Sequence, residues 1–358
     1  MALPMVCVAA LLASGLRAAP PTEKEVKVLV TKGYDFLKKS QNEDGSFSPQ
    51  RAGPGITALV VTALLKNGYD ASDPVVAKAL ASLQKNVQKD GGIYNRFLAN
   101  YTTAISVMAL KEANKDGKYD TILKNASAFL KKLQHEGDPK DPTFGGTGYD
   151  AKSRPDMSNT QFFIDALLAA GVPKDDPAVQ NALKFVGHCQ NLPGETNQLP
   201  FAKKTSDDDK GGLTYVPIDS DENRHRTPDG GLRSLGAMTY AGLKSFLYAG
   251  VSKTDPRVKG AVDWIRRHYT LDENPGMGKA GLYYYRHTFA KAMEALGEDP
   301  FADAKGTKHD WRRELFDALK KDQKPDGSWV NAGDKAFGES DPNLATAFAL
   351  LALSYTTK

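Results

Sequence analysis

Met238-Thr-Tyr-Ala-Gly-Leu-Lys-Ser-Phe-Leu-Tyr-Ala-Gly250, followed by Asp255-Pro-Arg-Val-Lys-Gly-Ala-Val-Asp-Trp-Ile-Arg266 and by Gly281-Leu-Tyr283, is the passage from which the architecture can be worked out. The first run is apolar on nearly every face, which in a water-exposed chain means a helix surrounded by protein. Gly250 stops it. Asp255-Pro256 then supplies an N-cap carboxylate and a first-turn proline for a second helix, whose apolar residues Val258, Val262 and Ile265 form a single stripe. A buried helix, a one-sided helix and a glycine-aromatic turn make one unit.

The unit recurs along the whole chain. Residues 24–40 read as a one-sided helix with its stripe at Val26, Leu29, Val30, Gly33 and Leu37, and residues 56–66 read as a helix apolar all round. One-sided helices follow near 76–87, 121–134, 177–190, 255–269 and 309–322, and inner helices at 102–112, 159–170, 236–249, 286–296 and 344–354. Two polar insertions, 191–210 and 216–233, interrupt the fourth repeat. Six one-sided helices therefore alternate with six apolar ones. An open helical array needs polar caps at its ends, yet residues 344–353 are among the most hydrophobic of the sequence. Packing the last repeat on the first removes the problem, so the expected fold is all-α, an (α/α)6 barrel with its apolar helices inside. It forms one domain over residues 20–358, with 1–19 set apart.

The turns between helices carry a pattern, Gln-x-x-Asp-Gly-x-aromatic, at Gln41 to Phe47 and Gln323 to Trp329, with degenerate copies at Gln88 to Tyr94 and Asp209 to Tyr215. These repeats resemble those of squalene-hopene cyclases and of protein prenyltransferase β-subunits, in the terpenoid cyclase and prenyltransferase superfamily. The resemblance implies an alpha-alpha toroid around an apolar, aromatic-walled cavity suited to an isoprenoid chain. It also implies two chemistries that the residues do not follow. The cyclases protonate an alkene with an Asp-x-Asp-Asp acid ahead of an inner helix, whereas Asp207-Asp-Asp209 is out of register and lies before a turn. The prenyltransferases hold zinc with Asp-x-Cys and a histidine. Here His287 matches the histidine, but the corresponding helix reads Gly236-Ala-Met-Thr-Tyr240 and Cys189 belongs to an outer helix. No metal and no cofactor is expected.

Inner-helix N-termini converge on one mouth of such a barrel, where free backbone amides favour ligands. Placed there, His287, Asp156, Tyr285 and Asp341 are the candidates for catalysis, and Asn159, Arg233, Tyr240, Tyr284 and Arg286 for ligand binding. Each has a structural alternative. Asp156 and Asp341 suit helix caps, the tyrosines suit packing, His287 suits a hydrogen-bonded core position, and the arginines suit either an anion clamp or an ion pair. Asp219, Asp221 and Glu222 suit a solvated loop or a weak calcium site.

Charge sets limits on partners. A formal charge of +4, from 47 basic against 43 acidic residues, leaves no basic footprint for nucleic acid. Residues 1–19, with an apolar run from Pro4 to Leu16, resemble an export signal, so a periplasmic or secreted protein is expected. Cys7 lies in that run, and Cys189 would remain alone, without a disulfide partner. The expected partner is a hydrophobic, isoprenoid-like small molecule, with peripheral membrane contact allowed and no partner protein identified. A carbohydrate-active lyase or hydrolase and a non-catalytic scaffold are the alternatives.

Overall fold

The computed structural model describes residues 19–220 and 222–357. The expected export signal, up to residue 18, and Asp221 lie outside them. In chain order the helices are α1 (Glu23–Ser40), α2 (Pro49–Ala52), α3 (Gly55–Lys66), α4 (Pro74–Gln84), α5 (Ala99–Ala113), α6 (Asp120–Lys131), α7 (Met157–Ala169) and α8 (Pro177–His188). After a 3-10 turn at Pro200–Lys204 come α9 (Gly236–Tyr248), α10 (Pro256–Arg267), α11 (Leu282–Leu296), α12 (Trp311–Asp322) and α13 (Pro342–Leu353). A two-residue pairing of β1 (Phe301–Ala302) with β2 (Lys308–His309) precedes α12.

Helices α3, α5, α7, α9, α11 and α13 form the inner ring, each packed on the next, and α13 packs on α3. The ring is closed. Helices α1, α4, α6, α8, α10 and α12 lie outside it, and α1 packs on α13 across the seam. The hydrophobic segment that could not face water, α13, is buried along its length. The (α/α)6 barrel is the observed architecture.

The recurrent turn has a mechanical reason. At three of the inter-helix turns a glutamine amide donates within the turn and to the first turn of the next outer helix, Gln41 to Gly45 O and Val75 O, Gln134 to Gly145 O and Ala178 O, Gln190 to Gly211 O and Arg257 O, whereas Gln88 donates to Asn86 O and Tyr94 O. At the seam Gln323 likewise bridges its own turn and an outer helix, reaching Gly327 O and, 2.9 Å away, Leu29 O in the second turn of α1. The glycine of that turn has φ +92°, and a Cβ on Gly327 would lie 2.2 Å from Lys32 O, so no other residue fits. The last turn residue donates its backbone N–H to an inner-helix threonine, Phe47 to Thr57 and Trp329 to Thr346.

Several boundaries shift by one to four residues from the sequence expectation, among them two inner-helix starts. Helix α5 begins at Ala99 rather than Thr102, and α11 at Leu282 rather than Arg286. For α11 the cause is tertiary. Gly281, at φ +65°, starts the helix, and the buried Glu339 carboxylate accepts the Tyr284 N–H at 2.7 Å, replacing a local cap.

Candidate functional site

The ring does not enclose one hollow. It holds two chambers with no lining residue in common, one at the N-terminal ends of the inner helices and one at their C-terminal ends. Phe348 lines the first and His287 the second; their rings stack at 5.8 Å and form part of the wall between them.

The N-end chamber measures about 130 Å³. Its wall is aromatic and thioether: Tyr101, Phe162, Tyr284, Phe337 and Phe348, with Met238 and Met277. Tyr284 is central, with ring centroids 5.5 Å from Phe348, 5.8 Å from Phe337 and 6.2 Å from Phe162. Tyr149, Tyr215, Arg224 and His225 border the chamber, the last two brought by the 216–233 insertion. Burial, with the charges of Arg224 and Arg233 beside it, pushes His225 down to about 4, so it is neutral at pH 7.

Asp156 lies beside this chamber. It caps α7, accepting the Asn159 backbone N–H at 2.8 Å and the Asn159 side-chain amide at 2.7 Å. Burial pushes its carboxyl up to about 6, against the opposing effect of hydrogen bonds from Asn159 and Tyr215. Asn159 Oδ1 is buried without a partner among the described residues. Glu339 behaves alike: burial raises it to about 7 while the Tyr284 N–H and the Asn331 side chain oppose the shift.

A polar column runs from here through the ring. Ser158 Oγ and Tyr284 Oη are 2.9 Å apart, Gln161 Nε2 donates to Tyr284 Oη at 3.5 Å, and Gln161 Oε1 accepts from Lys244. Lys244 and Lys291 then each donate to one oxygen of Asp165, both at 2.7 Å. Asp165 and Lys244 are almost wholly buried, with side chains 3% and 1% exposed. Burial works to raise the Asp165 carboxyl, but the two ammonium groups outweigh it and hold it below the usual range. Burial pushes Lys244 down to about 7 against the attraction of Asp165, and the Lys291 charge adds to the fall.

The C-end chamber, about 230 Å³, contains the far end of that column. Asp165, Lys291 and His287 line it together with Leu59, Met108, Leu168, Leu351, Tyr248 and Tyr355, and Lys66, Lys111 and Glu112 stand at its edge. Burial drives His287 far below its ordinary pKa, so it is neutral, and its Nδ1 has no partner among the described residues.

The residues singled out from sequence thus separate. Tyr284 enters the N-end chamber, with Asp156 and Asn159 next to it. His287 faces the opposite chamber. Tyr240 and Tyr285 line neither; they pack with Phe289 between α9 and α11, and Tyr285 Oη donates to Thr270 O. Arg286 turns outward, holding Leu271 O and pairing with Asp322 at 2.7 Å. Asp341 caps α13 and pairs with Arg51 at 3.1 Å. Arg233 is exposed, and Arg224 is the arginine at the chamber. Asp219 pairs with Arg226 at 2.6 Å, and no cluster of metal-ligating side chains occurs among the described residues. Sequence reasoning missed Gln161, Asp165, Lys244 and Lys291, and gave no role to Ser158 or Glu339. One signal was available: Asp165 and Lys244 are isolated charges inside runs otherwise apolar, whereas Lys291 shares its helix with Arg286 and Glu294.

Residues 50–205 match the family model of the squalene-hopene cyclase C-terminal domain. No curated protein matches the chain in sequence. Among solved structures, a protein from Actinoplanes is 18% identical over 93% of this chain and 100% of its own, with a TM-score of 0.55. An inactive variant of the GH76A alpha-1,6-mannanase of Salegentibacter sp., in complex with alpha-1,6-mannotriose, is 12% identical over 93% and 99%, with a TM-score of 0.61. The type II terpene cyclase MstE from Scytonema, 14% identical over 93% and 98%, superposes at a TM-score of only 0.38, too loosely to argue from. The chain is an alpha-alpha toroid, and its likeness to the terpenoid-cyclase superfamily is carried in sequence by residues 50–205.

Proposed function

We propose that the N-end chamber binds a hydrophobic, isoprenoid-type molecule, and that residues 1–19 export the protein to meet it. The observation that carries this reading is the chamber wall, in which Phe162, Tyr284, Phe337 and Phe348 present ring faces and edges beside Met238 and Met277. Such surfaces suit the methyl-studded, unsaturated chain of an isoprenoid. The chamber takes a terminal segment, and the remainder emerges at the mouth bordered by the 216–233 insertion.

The acid beside the chamber argues for binding rather than cyclisation. Protonating an alkene demands an acid stronger than an ordinary carboxyl, and burial makes Asp156 weaker. Held near 6, it suits a hydrogen-bonding role toward a polar terminus, through Tyr215. The carbohydrate reading finds less support. The inactive mannanase variant has two adjacent aspartates replaced by asparagine, whereas the adjacent aspartates here, Asp175-Asp176 and Asp207-Asp-Asp209, line neither chamber.

The test is mass spectrometry of apolar molecules that copurify with the wild-type protein and with Ala336→Trp. Ala336 is exposed and lines the chamber, so a tryptophan there plugs the mouth without overpacking the core. Isoprenoid occupancy falling by about tenfold or more in the variant is expected from loss of the apolar contact. Equal occupancy in both proteins sinks the proposal.

A further inference from the structure

The C-end chamber has an electrostatic feature that its protein surroundings leave incomplete. Its buried end holds two ammonium groups, Lys291 on the wall and Lys244 behind it, against the single carboxylate Asp165, which leaves one positive charge in excess there, while Lys66, Lys111 and Glu112 stand at the rim. Lys66 and Glu112 pair with each other at 3.4 Å on the rim. Deeper in, Lys291 shares Asp165 with Lys244, and it donates to that single acceptor among the described residues, although an ammonium carries three donors. His287 adds the buried Nδ1 without a partner. The carbonyl ends of the inner helices offset part of the positive charge. They do not accept from Lys291.

We infer that the C-end chamber is a second binding site, for a small amphiphilic monoanion whose carboxylate meets Lys291 and His287 and whose tail lies along Leu59, Met108, Leu168 and Leu351. The head carries one charge because the chamber has one in excess; a dianion such as phosphate would leave the site negative. The tail follows from the aliphatic side chains that make up most of the remaining wall. Burial of both partners makes the contact strong, since a charge-assisted hydrogen bond away from water gains more than one at the surface. This site is independent of the N-end reading and shares no wall residue with it.

The test is isothermal titration of the full-length protein with octanoate, 1-octanol and inorganic phosphate in a buffer free of other carboxylates. Octanoate binds saturably at one site; octanol, which lacks the charge-assisted hydrogen bond, and phosphate, which lacks the apolar tail, each bind at least about tenfold more weakly. Lys291→Met weakens octanoate by about tenfold or more on the same grounds. That variant leaves Asp165 facing Lys244 one to one, and a cooperative melt verifies its fold. Met108→Trp, which fills the tail side and alters no charge, also weakens octanoate, while Phe337→Ala in the N-end chamber leaves it within about twofold. Absence of saturable octanoate binding overturns the inference. So does octanol or phosphate binding as tightly, or octanoate affinity that responds to Phe337→Ala and to neither Lys291→Met nor Met108→Trp.

Discussion

The two chambers lie within one ring of helices and differ in electrostatic character. At the N-terminal end two buried carboxyls, Asp156 and Glu339, stand beside a chamber that Arg224 and His225 also border, each accepting first-turn N–H groups and each pushed up by burial. At the C-terminal end stand ammonium groups, Lys66, Lys111 and Lys291 on the wall with Lys244 behind. A ring of parallel inner helices aligns six N-termini on one side and six C-termini on the other, and the helix dipole favours negative charge at the first and positive at the second. One ring can therefore offer an apolar cavity flanked by weak acids and, a few turns deeper, a cavity edged with cations.

This polarity is most vulnerable at Asp165. Asp165→Asn leaves Lys244 and Lys291 buried without a counter-charge, and a loss of about 3–5 kcal/mol in unfolding free energy is expected by chemical denaturation at pH 7. A loss below about 1 kcal/mol would mean that water reaches the pair and that the column is not a buried network.

Removing the wall between the chambers comes next. Phe348, 3% exposed, stacks on His287 and contacts Tyr284. Phe348→Ala should cost about 3 kcal/mol through the cavity it leaves. It should also join the two chambers, so that Lys291→Met, silent toward an isoprenoid in the wild-type background, alters isoprenoid binding in this one.

The mildest substitution probes the acidic end by itself. Asp156 has a folded pKa of about 6 against an ordinary value of 3.8, so between these values the folded state holds more protons than the unfolded state. Its contribution to stability is fully present below the ordinary value and is lost as pH rises through about 6. Asn keeps the cap without the charge. Asp156→Asn is thus expected to match the wild type near pH 4 and to exceed it by about 2 kcal/mol at pH 7.5. Equal stability at both pH values would show that hydrogen bonds from Asn159 and Tyr215 outweigh burial.

Much of the fold was legible because its cues are local. Asp-Pro caps, glycine stops and the contrast between one-sided and all-apolar runs located the twelve ring helices, and the greasy last helix required closure. The candidate site was less legible. Tyr283, Tyr284 and Tyr285 look equivalent in sequence, but successive helical residues turn by about 100°, so they reach three different surroundings. Tyr283 lies near the Arg286 guanidinium, Tyr284 enters the N-end chamber and Tyr285 packs against Tyr240. The phase of α11 was set by Glu339, 55 residues away from Tyr284 in the chain.

That six buried and six one-sided helices alternate and must close is written into the chain itself, since hydrophobic periodicity and capping act over a few residues and leave their mark there. The meeting of Asp165 with Lys244 and Lys291, 79 and 126 residues away, emerges only when the ring assembles, as does the division of the lumen by Phe348 and His287. A lone charge in an apolar helix is costly in isolation and stable once paired. Which partner it finds depends on how three separate helices are rotated about their own axes, and that rotation is fixed by packing around the whole ring.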